Sequence, residues 1–533
     1  MLGPPPGALL ADLLRDQARR GPDRPALVSN GQVTTYRELD SRVDRIAARL
    51  RRLRIGAGDR VVVQLPNGTE FMLLLFAFFR LGVIPVLALP VHRKNEIHNV
   101  CGIAGAVGIV IPRRRAGFDF RAMAEAVRAD NPTLREIVTA DDVCDVPDAL
   151  PVAGGPRPTV GPAPAGIGLL LLSGGTTGAP KLIPRTHRDY ALNVVESARL
   201  CGLDEHTVYL AALPAAHNFA LGCPGVLGTL AVGGKVVLAP DPSPDEAFQL
   251  IEQERVTVTA LTPPLLQLWL AEAGRTRADL TSLRLLQVGG APLSRKHAER
   301  VRPELGCRLQ QVFGMAEGLL SFTRPDDPEE IVVSTQGRPL LAEDEIRVVD
   351  REGRDVAVGE AGELLARGPY TVRGYYRAPG SGPAPESDAT AFTPDGYYRT
   401  GDLVRLTGTG HLVVEGRLKD AVNRGGEKVP AVEVEDHLLA HPLVAQAAVV
   451  GVPDELLGER TCAFVVPRTR PPRLPEIAAF LRDRGLAAYK LPDRLEIVAD
   501  LPRTGVGKVD KHGLAARLER PASRKHQKSR ELA

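Results

Sequence analysis

Short apolar runs of strand length alternate with longer segments of helical periodicity along most of this 533-residue chain. Residues 60–65 and 82–89 are two such apolar runs. Residues 36–53, which precede them, have apolar side chains at helical spacing. The alternation returns with strand-like runs at 256–261 and 283–288. Buried parallel strands connected by helices produce this pattern, so the sequence predicts an α/β fold for most of the chain.

The pattern changes after about residue 417, where short strands accompany two amphipathic segments at 431–439 and 474–484. The chain is several times the usual domain size of about 100 to 200 residues, so more than one packed unit is expected. We predict a large N-terminal domain of several subdomains at 1–418, a small α+β C-terminal domain at 419–519, and a disordered basic tail at 520–533.

Composition and charge exclude several classes of partner. Lys and Arg total 67 against 64 Asp and Glu, so a net charge of +3 provides no broad basic face for nucleic acid. The six cysteines fall singly, which argues against a disulfide framework or a zinc site and indicates a reduced compartment.

No basic residue precedes Arg15, so the N-terminal segment lacks the features of a secretory signal. Arg80 interrupts the one membrane-like stretch, residues 71–90, which instead predicts a buried helix followed by a buried strand. We therefore expect a cytoplasmic protein with neither a nucleic-acid nor a membrane partner.

A loop rich in glycine and hydroxyl side chains follows the leucine run at 169–172. Glycines let backbone N–H groups converge on phosphate oxygens, hydroxyls donate further hydrogen bonds, and a lysine adds a positive charge, so the loop suits polyphosphate. A P-loop is excluded because Pro180 precedes the lysine and the residues that follow read as extended. The predicted phosphate-binding residues are Ser173, Gly174, Gly175, Thr176, Thr177, Gly178 and Lys181.

This loop resembles the phosphate loop of the adenylate-forming superfamily, which contains acyl-CoA synthetases, luciferases and the adenylation domains of nonribosomal peptide synthetases. Four further segments agree with that superfamily in the same order: Gln-Val-Phe-Gly-Met-Ala-Glu at 311–317, Tyr-Arg-Thr-Gly-Asp-Leu at 398–403, Gly-Arg-Leu-Lys-Asp at 416–420 and Pro-Arg-Thr-Gly-Val-Gly-Lys at 502–508. Within it, residues 216–219 and 314–319 resemble the stand-alone aryl-acid ligases, such as the 2,3-dihydroxybenzoate and salicylate enzymes of siderophore pathways.

The resemblance implies a reaction in two steps. A carboxylate attacks the α-phosphate of ATP, pyrophosphate leaves, and a thiol then takes the acyl group from the acyl-adenylate. Lys508 resembles the lysine that bridges the carboxylate and the α-phosphate, and His217 resembles the aromatic residue beside the phosphates. The resemblance further implies that the small domain is mobile and rotates about a hinge at Lys419, which brings the loop containing Lys428 to the thiol channel.

The resemblance also implies ATP and Mg²⁺ as cofactors. Glu317 matches the glutamate that helps to hold Mg²⁺, a cation that prefers carboxylate oxygen and water. Asp402 matches the carboxylate that accepts both ribose hydroxyls, and Arg417 matches a residue that reaches the ribose or the phosphates. The expected nucleotide-binding set also contains Val312, Gly314 and Met315.

Membership in the aryl-acid branch implies a flat slot for a planar substrate. The ring is expected to lie against Gly289, Gly290 and Ala291, which lack bulky side chains, with Phe219 stacked on the opposite side. Asn218 corresponds to the residue that hydrogen-bonds the hydroxyl group ortho to the carboxylate.

Two positions depart from the 2,3-dihydroxybenzoate pattern. That group usually carries serine where this chain has Cys223, and valine where it has Leu320; salicylate-type members resemble this chain at both positions. A thiol is a weaker hydrogen-bond donor than a hydroxyl, and leucine fills more volume than valine. Both residues therefore favour an aromatic ring without a 3-hydroxyl group.

Together these features predict an enzyme that adenylates a salicylate-like acid and loads it onto the phosphopantetheine arm of an aryl carrier protein acting in trans. The alternatives are a 2,3-dihydroxybenzoate or 3-hydroxyanthranilate ligase, and a benzoate-type CoA ligase with the same pantetheine chemistry. From a different class, the chain could be a noncatalytic sensor of nucleotides or aryl ligands. The joint presence of Lys508, Glu317 and Asp402 argues against that sensor.

Overall fold

The chain divides into two compact units. A computed structural model describes residues 9–145, 162–173, 180–378, 380, 390–418, 422–424, 427–454, 457–484, 486, 488–504 and 507–519. The first unit comprises Met1–Glu360, Leu364–Thr400 and Leu406–Val413, and the second comprises Ala361–Glu363, Gly401–Arg405 and Val414–Ala533. The expected hinge Lys419 and the basic tail at 520–533 lie outside the described residues, and the domain boundary at 418 stays a prediction.

Helices and strands alternate through the N-terminal part of the chain. Up to residue 145 they are α1 (Leu10–Arg20), β1 (Pro25–Ser29), β2 (Gln32–Thr35), α2 (Tyr36–Arg52), β3 (Arg60–Val63), α3 (Thr69–Leu81), β4 (Ile84–Leu87), α4 (Lys94–Ala104), β5 (Gly108–Ile111), β6 (Arg114–Arg115), β7 (Phe118–Asp119), α5 (Phe120–Ala129), β8 (Glu136–Thr139) and α6 (Ala140–Cys144).

The alternation continues beyond residue 162. The elements are β9 (Ile167–Leu172), β10 (Leu182–Thr186), α7 (His187–Leu200), β11 (Val208–Ala211), α8 (Asn218–Gly222), α9 (Gly225–Ala231), β12 (Lys235–Leu238), α10 (Pro244–Glu254), β13 (Val258–Leu261), α11 (Pro263–Ala273), β14 (Leu285–Gly289), α12 (Arg295–Leu305), β15 (Arg308–Gly314), β16 (Leu320–Phe322), α13 (Glu329–Ser334), β17 (Arg338–Pro339), β18 (Glu345–Val349), β19 (Ala361–Arg367), β20 (Tyr398–Leu406) and β21 (Leu412–Arg417).

The remaining elements are shorter and follow a different order. They are β22 (Val422–Arg424), β23 (Glu427–Val429), α14 (Ala431–Leu439), β24 (Val444–Asp454), β25 (Gly458–Pro467), α15 (Leu474–Asp483), a 3₁₀ turn (Ala488–Lys490), β26 (Arg494–Ile497) and α16 (Lys511–Glu519).

Two mostly parallel sheets form the core of the first unit. The larger has the strand order β17-β16-β15-β14-β13-β11-β12-β1-β2, in which the strands from β15 to β1 are parallel and the others antiparallel to their neighbours. The smaller has the order β10-β9-β4-β3-β5-β8, in which only β10 is antiparallel. Helices connect the parallel strands, which confirms the predicted α/β class.

Helix α2 forms where the helical spacing predicts it. Thr35 is its N-cap, and the side chains of Thr35 and Glu38 each accept a hydrogen bond from the other's backbone N–H, at 3.2 Å from Glu38 to Thr35 and 2.8 Å in the reverse direction. Leu39, Val43 and Ile46 lie on its buried face. Burying a side chain of this size contributes about 1.5–3 kcal/mol, so packing of this face exceeds the contribution of the cap.

Helix α3 is buried on nearly every face, which explains its apolar sequence. Arg80 is tolerated because its guanidinium forms ion pairs with Asp40 and Asp44. Gly82 ends the helix in the left-handed conformation, with a φ of 69°, and strand β4 follows. The predicted buried helix and buried strand are thus confirmed. Within the described ranges, no helix has both the length and the hydropathy that crossing a bilayer requires.

The second unit is a small α+β structure, as the sequence predicts. Its sheet has the order β23-β22-β25-β24, with β26 paired to β25, and helix α14 packs on β24. Val434, Val449, Val465 and Ile477 belong to its hydrophobic core. A further four-stranded sheet has the order β18-β19-β20-β21.

Candidate active site

The predicted site residues of the first unit gather at the carboxyl ends of its parallel strands. Strand β11 leads to His217, strand β14 ends at Gly289, and strand β15 ends at Gly314. Parallel sheets commonly bind ligands at this edge, because the loops that leave the strands there converge. The fold thus places residues that are distant in the sequence in one region.

Strands β9 and β10 form the stem of the glycine-rich loop. The backbone N–H of Ser173 donates to the carbonyl of Lys181 at 3.0 Å, and the N–H of Lys181 donates to Ser173 Oγ at 3.2 Å. These bonds fix the two ends of the loop relative to each other. The predicted phosphate-binding residues Gly174, Gly175, Thr176, Thr177 and Gly178 lie outside the described residues.

Tyr375 connects the loop lysine to Glu317. Lys181 Nζ lies 4.4 Å from the centroid of the Tyr375 ring, and Tyr375 Oη donates a hydrogen bond to Glu317 Oε1 at 3.1 Å. Glu317 is buried, and Val372 N–H donates to its carbonyl at 2.8 Å. Tyr375 thus contacts a cation through its ring and a carboxylate through its hydroxyl group.

The surroundings of Glu317 fit Mg²⁺ that arrives with a nucleotide. Among the described residues, no group of three or more His, Cys, Asp or Glu side chains is placed to hold a metal ion. Mg²⁺ commonly uses one or two protein carboxylates, with phosphate oxygens and water as its other ligands. Burial, with Glu317 nearby, raises the pKa of Tyr398 above its ordinary value, so this phenol stays neutral beside the carboxylate.

Asn67 shapes the end of strand β11, and sequence reasoning missed it. Its Nδ2 donates to the carbonyls of Ala211 at 2.9 Å and Leu213 at 3.0 Å, and its Oδ1 accepts from Ala215 N–H at 2.7 Å. One amide thereby satisfies the backbone of the segment that leads to His217. The sequence contains no local signal for this role, since the contacts span about 145 residues of chain.

His217 begins the short helix that carries the predicted acid-binding residues. Its Nδ1 accepts a hydrogen bond from Phe219 N–H at 3.3 Å, so the imidazole caps helix α8. Asn218 is half-buried, and Cys223 directly follows the helix. The structure therefore places His217, Asn218, Phe219 and Cys223 together, as the motif predicts.

Asn218 takes part in a network of buried polar groups. Its Oδ1 accepts from the hydroxyl of Tyr190 at 2.8 Å, and its Nδ2 lies 3.7 Å from Cys223 Sγ. The thiol of Cys223 donates to the backbone carbonyl of Asn218 at 3.4 Å. Burial raises the pKa of Cys223 to about 12, so the thiol is protonated at neutral pH and available for that bond.

Glycines allow Phe219 to approach strand β14 closely and Leu320 to approach strand β15 closely. A Cβ at Gly289 would lie 2.4 Å from the carbonyl oxygen of Val312 and 3.2 Å from Phe219 Cζ. A Cβ at Gly314 would lie 2.4 Å from Leu320 Cδ2. Each distance is below van der Waals contact, so a larger residue at either position would require its neighbours to move.

Residues predicted to bind the acid, Phe219, Gly289 and Leu320, therefore lie next to Val312 and Gly314, which are predicted to bind the nucleotide. Gly290 adopts a φ of 83°, and it and Ala291 continue the chain from β14 as half-buried residues. Met315 N–H donates to the carbonyl of Leu319 at 3.0 Å, which closes the turn that contains Glu317. We call the group Asn218, Phe219, Cys223, Gly289, Gly290, Ala291 and Leu320 the candidate acid site.

Arg185 and Tyr190 form a buried pair beneath this site, and sequence reasoning missed both. The Arg185 guanidinium lies 4.8 Å from the centroid of the Tyr190 ring, donates from Nε to Asp189 at 2.8 Å and donates from Nη1 to the Ala316 carbonyl at 3.0 Å. Both side chains are fully buried. A charged residue inside strand β10, immediately after the phosphate loop, was the available signal.

The second unit carries the other predicted residues. Arg417 Nε lies 3.1 Å from the buried carboxylate of Asp402, and the two residues belong to strands β21 and β20. Lys508 is half-buried in a tight turn, where its carbonyl accepts from Thr504 N–H at 2.7 Å. Lys428 pairs with Asn423 in the β22–β23 hairpin, but its side chain lies outside the described part of the structure.

Comparison with known proteins gives a consistent result over nearly the whole chain. The AMP-binding enzyme family matches residues 14–376, and the C-terminal domain of AMP-binding enzymes matches residues 433–508. The chain is 54% identical to the 2,3-dihydroxybenzoate-AMP ligase of Bacillus subtilis, over 95% of this chain and 93% of that protein. It is 48% identical to the salicyl-AMP ligase / salicyl-S-ArCP synthetase of Mycobacterium tuberculosis, over 96% of this chain and 91% of that protein.

A similarity of fold accompanies these sequence matches. The crystal structure of ATP-bound MatB from Rhodopseudomonas palustris superposes with a TM-score of 0.84 at 26% identity, over 95% of this chain and 98% of that one. The family match covers more than half of the chain, and the order of the five motifs agrees with it. The chain is therefore an ATP-using enzyme of the adenylate-forming superfamily, in the AMP-binding enzyme family.

Proposed function

We propose that this enzyme adenylates a salicylate-like aryl acid with release of pyrophosphate, and then transfers the acyl group to the phosphopantetheine thiol of a separate aryl carrier protein. The observation that carries the proposal is the approach of Phe219 to Gly289, with the Asn218 amide held nearby between Tyr190 and Cys223. A glycine surface opposite an aromatic ring suits a planar acid. The relatives named as dihydroxybenzoate and salicylate ligases support the same class of substrate.

Nucleotide binding is assigned to residues of both units. In the first unit, the glycine-rich loop and Lys181 would bind phosphate, while Val312, Gly314 and Met315 would line the nucleotide. Glu317 would hold Mg²⁺, which neutralises charge on the phosphates when bound. In the second unit, Asp402 would accept the ribose hydroxyls and Arg417 would reach the ribose or phosphates.

The two reaction steps are assigned to different lysines. Lys508 would bridge the acid carboxylate and the α-phosphate during adenylation, where its charge offsets the negative charge that gathers between them. Lys419 would act as the hinge, and the loop containing Lys428 would serve the thiol step. His217 would lie beside the phosphates. Its imidazole caps the helix that carries Asn218.

Cys223 and Leu320 favour salicylate over 2,3-dihydroxybenzoate. The thiol of Cys223 already donates to the Asn218 carbonyl and is a weak hydrogen-bond acceptor, so it offers a 3-hydroxyl group on the substrate less than a serine hydroxyl would. Leu320 fills space up to Gly314. The second candidate substrate is 2,3-dihydroxybenzoate itself, which is favoured by the 54% identity to a ligase named for that acid.

ATP–pyrophosphate exchange over a panel of substituted benzoates tests the first step. We expect salicylate to support the fastest exchange, with 2,3-dihydroxybenzoate slower by about tenfold, since one wall substitution typically changes selectivity by about 1–3 kcal/mol. Benzoate should be slower again, because it has no ortho oxygen to accept a hydrogen bond from the Asn218 N–H group. If no aryl acid supports exchange, the proposed function is wrong.

The acceptor is tested separately by thioester formation. Purified enzyme with ATP and salicylate should acylate a phosphopantetheinylated aryl carrier protein faster than it acylates free CoA. The carrier without its phosphopantetheine arm is the control. A faster reaction with CoA would instead make the chain a benzoate-type CoA ligase.

A further inference from the structure

Tyr190 is fully enclosed, and its hydroxyl has one hydrogen-bonding partner among the described residues. The side chain is 0% exposed, and the guanidinium of Arg185 lies 4.8 Å from its ring centroid. Oη donates to Asn218 Oδ1 at 2.8 Å. A Cβ on Gly222 would lie 2.6 Å from that hydroxyl oxygen, so the hydroxyl packs directly against the Gly222 backbone.

The direction of this hydrogen bond fixes the orientation of the Asn218 amide. A buried hydroxyl needs an acceptor for its proton, and the amide oxygen of Asn218 is the acceptor within reach of Tyr190. The amide nitrogen must then occupy the other side, where Cys223 Sγ lies 3.7 Å away and is a weak acceptor. Asn218 therefore retains N–H donor capacity, while its oxygen is already bonded.

An amide that turns its N–H group toward the substrate distinguishes between substituents ortho to the carboxylate of an aryl acid. In a 2-hydroxybenzoate, the phenolic proton bonds to the neighbouring carboxylate, so the oxygen presents a lone pair outward and accepts from an N–H group. In a 2-aminobenzoate, one N–H bonds to the carboxylate and the second points outward, while the nitrogen lone pair is delocalised into the ring. The N–H group of Asn218 and the outward N–H group of the substrate would then face each other, and neither would have an acceptor.

We propose that Tyr190 is a positioning residue which locks the Asn218 amide as a donor, and that the site thereby selects aryl acids whose ortho substituent accepts a hydrogen bond. The inference rests on the proposed function, in which Asn218 meets that substituent. It disfavours ortho-amino acids as substrates, including the 3-hydroxyanthranilate class. Tyr190 acts through Asn218 and does not itself touch the acid.

Exchange kinetics with two acids test the proposal. For the unaltered enzyme we expect kcat/KM to be about 100-fold higher with salicylate than with 2-aminobenzoate. Tyr190→Phe removes the hydroxyl, so the amide can turn and offer its oxygen to an amino group. The salicylate to 2-aminobenzoate ratio should then fall by about tenfold, as expected from the loss of one hydrogen bond.

Matched variants separate positioning from general damage. Tyr36→Phe also removes a buried tyrosine hydroxyl, one that donates to the Gly234 carbonyl at 2.7 Å, and it should leave the ratio unchanged. Gly222→Ala displaces the Tyr190 hydroxyl without altering the tyrosine, so it should lower the ratio as Tyr190→Phe does. Thermal unfolding of each variant reports the cost to the fold.

The possible results are distinguishable. If the unaltered enzyme catalyses exchange with salicylate but prefers it to 2-aminobenzoate by less than tenfold, the inference is overturned while the proposed function stands. An equal loss on both acids in Tyr190→Phe would also overturn it, since that result indicates a structural role only. Absence of exchange with every aryl acid would contradict the proposed function itself.

Discussion

At the scale of single residues, the candidate acid site is shaped by polar groups that are already bonded to each other. Asn218, Tyr190 and Cys223 satisfy one another in a buried network, so their hydrogen-bonding capacity toward a ligand is limited and directional. Such a network favours one pattern of donors and acceptors on a substrate. Small changes at these positions should therefore alter which acid is used more than whether an acid is used.

Replacing Cys223 with serine changes one atom, sulfur to oxygen, and tests whether this residue affects which acid is used. In Cys223→Ser, the stronger hydroxyl donor should improve exchange with 2,3-dihydroxybenzoate relative to salicylate by about tenfold, equivalent to about 1.4 kcal/mol. The measurement is the ratio of kcat/KM values for the two acids. Cys201→Ser is a suitable control, because Cys201 is also buried and its thiol has a hydrogen-bond acceptor, Gln310 Oε1, at 3.2 Å. An unchanged ratio in Cys223→Ser would remove this residue from the specificity argument.

At the scale of elements, the site depends on how closely strands β14, β15 and β16 and helix α8 approach one another. Gly289 pairs with Val312 in the parallel ladder, and Gly314 pairs with Leu320 in the antiparallel one. The absence of a side chain at both glycines lets Phe219 and Leu320 pack against the strand backbone. The strand register therefore decides which residues face these glycines.

Adding a single methyl group should disturb that packing. Gly289→Ala places a Cβ 2.4 Å from the Val312 carbonyl oxygen, so the strand or Phe219 must move, at a cost of about 1–3 kcal/mol of unfolding free energy. We expect the KM for the aryl acid to rise about tenfold or more, with a much smaller change in the KM for ATP. The measurements are exchange kinetics and denaturant unfolding.

Gly274→Ala is the matched control for this variant. A Cβ there would have no heavy atom within 4 Å, and the residue has a φ of −75°, which alanine adopts readily. Its KM for the acid should therefore equal that of the unaltered enzyme. If Gly289→Ala behaved in the same way, the glycine would not limit the width of the site.

At the scale of the whole molecule, the proposed functions are divided between two compact units. The phosphate loop, Glu317 and the candidate acid site belong to the first unit, while Asp402, Arg417 and Lys508 belong to the second. A reaction in two steps can use such a division if each step requires different groups of the second unit. Variants in the second unit should then affect one step and spare the other.

Lys508 provides the test of this division. Lys508→Ala should abolish ATP–pyrophosphate exchange, reducing it by about 100-fold or more, because a charge that stabilises the transition state is lost. Thioester formation from a supplied salicyl-adenylate should continue at a similar rate, since the proposed scheme uses Lys508 in the first step only. Equal loss in both assays would contradict the assignment.

Lys511→Ala is the control for loss of charge in the same region. Lys511 lies three residues away, and its Nζ pairs with Glu435 at 2.6 Å. Its removal should reduce thermal stability slightly and leave both reaction steps intact. Comparing Lys508→Ala with Lys511→Ala separates the effect of losing the proposed catalytic lysine from the effect of losing any positive charge in this unit.

Local patterns in the sequence were sufficient to predict secondary-structure elements and to identify the family. The spacing of Leu39, Val43 and Ile46, together with the Thr35 cap, predicts helix α2 because these signals act within one or two turns of chain. The motifs around Ser173, Glu317 and Lys508 were equally readable, since each is a short run whose residue types match a chemical task. Their roles remain predictions that the proposed experiments test.

Tertiary structure alone revealed the residues that position these groups. Tyr190 meets Asn218 across 28 residues of sequence, Arg185 meets Ala316 across 131, and Asn67 meets Ala211 across 144. No periodicity or motif encodes such pairs, because which distant residues meet depends on the order of strands in the sheets. Short segments of the chain therefore indicate the kind of chemistry. The direction of each hydrogen bond, on which the proposed choice of substrate rests, is decided only when the folded sheets bring those segments together.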